Sequence, residues 1–325
     1  MFQSNNVNNN DKNISNNNNN NSNVSSSSIE VDIQNMKEII TWKEIPQVFK
    51  QIKIQEIMPT EVKINKENKE NYKRSIGLLS GYPVTIRACH NNEITEKQIN
   101  KLINVNTNIL NHPNIVNTIG MTLIPVENSN NNNKEKEGKM YIIKEYMNKN
   151  TLMEWLCNVS IEVQKKYITK IAIDVARAIN HLHNNGIVYR RLNSNNVLLK
   201  GFITEDGSGY LEVKIDVDLF NLVNDNISDN NSIDNFIAYE IRKEPTMKPS
   251  ISEDIFSYGM LLCHLFSEGE AEPKRPNQVC HHSTLLQTMD PLWKELIFDC
   301  TQKDPTERPN NFTTILNSLT SLVQQ

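Results

Sequence analysis

The sequence predicts an α+β, bilobal protein: a small β-rich lobe with one helix, then a larger, mainly α-helical lobe. Two patterns carry that expectation. Between about residue 50 and Met147 the apolar residues alternate or cluster in short β-branched runs, and from Leu152 onward they recur at helical spacing. The length of 325 residues is ample for more than one core.

In chain order, residues 1–40 read as a disordered Asn/Ser-rich tail. Its first 28 residues are nearly all Asn and Ser and offer too little apolar area to offset the entropy of ordering. The small lobe is placed at 41–145. Within it QIKIQEI (51–57) alternates, YPVTIRAC (82–89) is short and β-branched, and MYIIKEYM (140–147) is an apolar run bounded by polar residues. The one helix is expected over 96–110, with Ile99, Leu102, Ile103, Asn106 and Leu110 near one face, ending before His112-Pro113. The Asn-rich segment 127–138 separates two apolar runs and reads as an enlarged loop between strands. The large lobe is placed at 146–325. In YITKIAIDVARAINHLH (167–183), Ile168, Ile171, Val175, Ala178, Ile179 and Leu182 form a helical stripe. SEDIFSYGMLLCHLF (252–266) is apolar on most sides and predicts a buried helix, with Ser252 or Asp254 as its cap.

A net charge of −4 and a pI near 6.0 give no positive field, so neither nucleic acid nor an anionic membrane is an expected partner. The five cysteines are scattered, without metal-ligand spacing to any histidine, His281-His282 and His181/His183 included, and read as reduced thiols. No leader pattern opens the chain and no apolar run approaches the ~20 residues of a membrane span. The expected location is cytoplasmic, with the nucleus open.

Five segments then occur in a telling order: HPNIVNTIG (112–120), YRRLNSNNVLL (189–199), AYE (238–240), EDIFSYG (253–259) and DPTERP (304–309). From about Trp42 to Ser321 the chain resembles a eukaryotic protein kinase domain. The ending from Cys300 to Phe312 is most similar to the tyrosine-kinase-like and tyrosine kinase branches. The resemblance implies the bilobal kinase fold and a site for ATP between the lobes.

The positions that move phosphate depart from the family. A phosphate-covering loop needs glycines for close backbone approach, yet the first glycine in the chain is Gly77, and INKENKEN (64–71) stands where the loop belongs. The VAIK lysine is replaced by Arg87, which keeps the charge but not the shape, and Thr85 stands at the small alanine position. The partner glutamate of the αC helix falls on Ile103. Lys69, at the third glycine position, matches the relocated lysine of With-no-lysine kinases. In the catalytic loop, Arg191 replaces the base aspartate and Asn193 the following lysine; no aspartate lies between Asp174 and Asp206. Arginine is permanently protonated and cannot accept a proton, and base assistance is typically worth ~10²–10⁴-fold. The metal motif falls on VKIDVDLFN (213–221), where either Asp216 or Val217 occupies the ligand position. No glycine follows until Gly259. Asn196 stays at the second magnesium position, but Asn196 and Asp216 alone would hold Mg²⁺ weakly.

Lys144 stands before the hinge residues Glu145 and Met147, where the family has a neutral side chain. Its ammonium either reaches water along its stem or joins Arg87 in being neutralised by Asp216, closing the cleft with an internal salt bridge. The scaffold positions persist: Glu240 and Arg308 match a buried ion pair, and Asp254 matches the residue that receives the catalytic-loop backbone. Tyr189 replaces the first histidine of HRD as a spine aromatic. Arg190 matches the arginine that grips a phosphorylated activation segment, where Ser228 and Ser232 are the modifiable positions.

The resulting expectation is an inactive kinase homologue, a pseudokinase that binds protein partners, with no catalytic residues, no firm metal site and no required cofactor. If nucleotide did bind, it would meet Arg87, Thr85, Lys144, Glu145, Met147 and Lys69. Two alternatives stay open: a weak Ser/Thr kinase using Lys69 or Arg87 on phosphate and Asp216 on magnesium, and a nucleotide-binding pseudokinase without turnover.

Overall fold

The structure is a computed structural model that describes residues 50–51, 57–59, 74–79, 82–88, 110–125, 138–218, 234–267 and 288–323. The tail 1–40, the loop 64–71 with Lys69, the helix expected at 96–110 with Ile103 (apart from Leu110), the loop 127–138 up to Gly138, Ser228, Ser232 and His281-His282 lie outside the described residues.

Strands β1 (Lys50–Gln51), β2 (Ile57–Pro59), β3 (Arg74–Leu79), β4 (Tyr82–Ala88), β5 (Thr118–Pro125) and β6 (Gly138–Glu145) form one sheet in the order β1-β5-β6-β4-β3-β2. All pairs are antiparallel except β1 with β5. In β4 and β6, Thr85 pairs with Lys144 and Arg87 with Ile142. Because strand side chains alternate at period two, Thr85, Arg87 and Lys144 therefore share one face. Val84 and Ile143 point the other way, into a small apolar cluster with Leu79.

The rest is mainly helical: α1 (Leu152–Asn158), α2 (Ile161–Asn184), α3 (Tyr239–Lys243), α4 (Ile251–Leu265), α5 (Pro291–Cys300) and α6 (Phe312–Val323). All six stripe residues of α2 are buried in the main core, and α4 is buried along nearly its whole length. The N-cap of α4 is Ser250, not Ser252 or Asp254. Ser250 and Glu253 form a reciprocal capping box, Ser250 N–H donating to Glu253 Oε1 at 2.8 Å. The helix starts a turn-fraction earlier than expected because Ser252 and Asp254 are drawn inward to other partners. At Gly259 a Cβ would lie 2.6 Å from Thr301 Cγ2 and 2.8 Å from Cys300 Cβ, so only glycine allows this approach of α4 to the end of α5.

The helical pattern is interrupted by a hairpin, β7 (Val197–Ile203) and β8 (Gly209–Ile215), paired over seven residues each. Gly201 and Gly209 let its strands approach closely: a Cβ at either would press on the carbonyl oxygen of Tyr210 or Phe202. Ile115 bridges to Ile215 in parallel, and Asn114 Nδ2 donates to Val213 O at 3.0 Å, so the loop before β5 is stitched to β8. Among the described residues no helix is long and apolar enough to cross a membrane.

Candidate functional site

The end of β8 brings the sequence-singled residues together. Lys144, on β6, is only 4% exposed; its ammonium does not reach water but lies 2.5 Å from Asp216 Oδ1 and donates to Val217 O at 2.8 Å. Asp216 Oδ2 lies 3.8 Å from Arg87, whose nearer partner is Asp218, at 3.0 Å. Two cations thus face two carboxylates. Asp218 had no role in the sequence reading; its signal was only its place two residues after Asp216 in Asp-Val-Asp. Val217 is buried in the main core, so the residue between them supplies an apolar side chain and not a ligand.

Thr85 is half-buried opposite Lys144 on β4. The hinge carboxylate of Glu145 accepts from Asn117 N–H at 2.7 Å and from Lys214 Nζ at 2.6 Å. Met147 is buried against Val116 and Leu198. Glu145 and Met147 therefore serve as packing and ion-pair residues beside the cleft.

The catalytic-loop segment is held by its own side chains. Asn193 Oδ1 accepts from Asn195 N–H at 2.9 Å and Asn196 N–H at 3.1 Å, an Asx turn. Asn196 Nδ2 donates to Arg191 O at 2.8 Å. Arg191 is half-buried in this loop. Asp254 accepts from Tyr189 N–H at 2.7 Å, Arg190 N–H at 2.6 Å and the His183 ring at 2.8 Å. That triple acceptor role stabilises the strained backbone of Arg190, at φ 62°. Its guanidinium pairs with Glu253 at 3.0 Å, and burial pushes the Glu253 carboxyl above its ordinary range.

Tyr189 is buried, and its hydroxyl donates to Asp216 O at 2.9 Å. Burial and the Asp216 charge push this phenol well above its ordinary pKa, so it remains a donor. The sequence suggested an aromatic here but not the hydrogen bond. Glu240 and Arg308 form a bidentate pair at 2.7 and 2.9 Å, with the arginine side chain fully buried over the Phe256 ring.

Comparison with known proteins places this architecture. The family described as protein tyrosine and serine/threonine kinase matches residues 77–319, more than half the chain, and the chain belongs to that family. A probable serine/threonine-protein kinase of Dictyostelium discoideum is 25% identical over 260 residues, covering 76% of this chain and 40% of its own length. Human dual specificity testis-specific protein kinase 2 is 27% identical over 239 residues, covering 69% of this chain and 38% of its own. The Dictyostelium dual specificity protein kinase zak2 is 27% identical over 245 residues. The chain thus spans about two fifths of the length of the first two relatives.

Proposed function

We propose that this chain is a pseudokinase of the tyrosine-kinase-like branch, catalytically inactive and acting as a protein-binding or allosteric module. The observation that carries the proposal is the charge-neutral cluster of Lys144, Arg87, Asp216 and Asp218 at the position where the family holds metal and phosphate.

The donor set does not fit Mg²⁺-ATP. Lys144 and Arg87 offset the charges of Asp216 and Asp218, so these four side chains offer a divalent ion no net negative charge, where a metal site needs carboxylates in excess. The Asp216 oxygen that faces Lys144 could bind it only by giving up the lysine, and the other oxygen lies 3.8 Å from Arg87. Arg191, at the base position, adds a second obstacle, since a guanidinium cannot accept the substrate hydroxyl proton. Loss of one group need not abolish phosphoryl transfer; here the lysine, the base and the phosphate-loop glycines are replaced together. The retained Asp254, Glu240 and Arg308 contacts hold the fold, which leaves surfaces for protein partners.

The test is thermal unfolding of the full chain with millimolar ATP, with and without Mg²⁺. No shift is expected. A Mg²⁺-dependent shift, accompanied by phosphate transfer that Asp216→Ala abolishes, would overturn the proposal in favour of a weak kinase. A shift without Mg²⁺ would replace an empty cleft by a structural nucleotide.

A further inference from the structure

We infer that Lys144 is an internal clamp that holds the 216–218 segment in a single inward conformation, so that the lobes present their surfaces constitutively, without nucleotide. This inference rests on the reading of the cleft given above and names how that cleft is regulated: it is fixed from within.

Every polar group of Asp216 is engaged. Its N–H donates to Asn196 O at 2.8 Å, its carbonyl accepts from the Tyr189 hydroxyl at 2.9 Å, and its carboxylate faces Lys144 at 2.5 Å and Arg87 at 3.8 Å. The ammonium of Lys144 reaches past the carboxylate to the main chain as well, bonding Val217 O at 2.8 Å. A lysine that grips both a side chain and the next peptide carbonyl restrains the backbone, which a simple ion pair does not. Arg87 fastens Asp218 one residue further on, and the Val217 side chain is buried in the main core.

The restraints come from both lobes. Lys144 and Arg87 stand on the sheet of the small lobe, whereas Tyr189 and Asn196 belong to the catalytic loop of the large one. Turning the segment outward would break these bonds and leave the 4%-exposed ammonium of Lys144 without the Asp216 carboxylate. The chain also has no glycine from Tyr210 to Tyr258 that would ease such a turn.

Hydrogen exchange on the full chain tests the clamp. In the wild type, peptides covering 211–218 should exchange as slowly as those of α4. Lys144→Met should speed exchange there about tenfold, as loss of the bonds that close the segment lowers the free energy of local opening, while α4 peptides stay unchanged. Tyr189→Phe should give a smaller effect in the same peptides. Should Lys144→Met fail to fold, the charge-balanced double variant Lys144→Met/Asp216→Asn lacks the same hook to Val217 O and should show the same acceleration. Rapid wild-type exchange at 216–218, or unchanged exchange in the double variant, would overturn the clamp. Phosphate transfer by a wild-type protein with slow exchange would instead refute inactivity and leave the clamp standing.

Discussion

Replacing Glu240 by Ala should cost about 3–5 kcal/mol of folding stability, the range for removing one partner of a buried ion pair. The structure explains why the full penalty applies. Arg308 has no exposed side-chain surface, so its guanidinium cannot recover water when the carboxylate is lost. Its remaining acceptors are three carbonyls, Gln302 O at 2.8 Å, Ser252 O at 3.0 Å and Lys303 O at 3.4 Å, and the Ser252 hydroxyl at 3.1 Å, none of them charged. Arg308→Met should cost somewhat less, because Glu240 is 13% exposed and can be partly rehydrated. Urea unfolding of the wild type, both single variants and the double variant closes a cycle, and a coupling energy above about 2 kcal/mol is expected. If Glu240→Ala costs less than about 1 kcal/mol, the value of an exposed pair, then burial does not govern this contact and the reasoning fails.

Other outcomes follow from separate sites. His112 accepts a hydrogen bond from Asn114 N–H on Nδ1 and stacks on His181 at 4.6 Å between ring centres. Burial first, then the neighbouring His181 and Arg177, lowers its pKa below the ordinary 6.5. The native state therefore takes up this proton later than the unfolded chain, and stability that is complete above about pH 6.5 declines as the pH falls below it; His112→Gln should flatten that decline in chemical denaturation at stepped pH, and an unchanged slope would count against the assignment. Gly259→Ala should destabilise by about 1–3 kcal/mol through overpacking against Cys300 and Thr301, read as a lowered melting temperature. Arg191→Asp should restore no phosphate transfer in a radiolabelled ATP assay, because Arg87, Lys144 and the glycine-free loop remain; incorporation above an Asp216→Ala background would contradict this.

The strand and helix patterns and the order of the motifs were legible because each depends on neighbours a few residues apart. Thus α2 carries the six-residue stripe expected of it, and the run 252–266 forms the buried helix α4 within one residue. The cap of α4 was misplaced because Ser250, Ser252 and Asp254 are chemically equivalent caps, and only packing decides that Ser252 and Asp254 serve Arg308 and the catalytic loop. The β7–β8 hairpin was hidden by Gly201 and Gly209, residues that weaken strand propensity locally but are required where two backbones touch, and by Gly207, which turns the chain between them at φ 78°.

What the sequence by itself determined is the class of fold, the family-like order of its motifs and the identity of the altered positions, since residue type and spacing are written along the chain. Only the tertiary structure decided which charges meet. It assigned Arg87 to Asp218 as well as Asp216, turned Lys144 onto the Val217 carbonyl, and joined the Tyr189 hydroxyl to Asp216. Lys144 and Asp216 are 72 residues apart. Their attraction depends on a distance and a degree of dehydration that exist only once β6 and β8 are packed around one cleft.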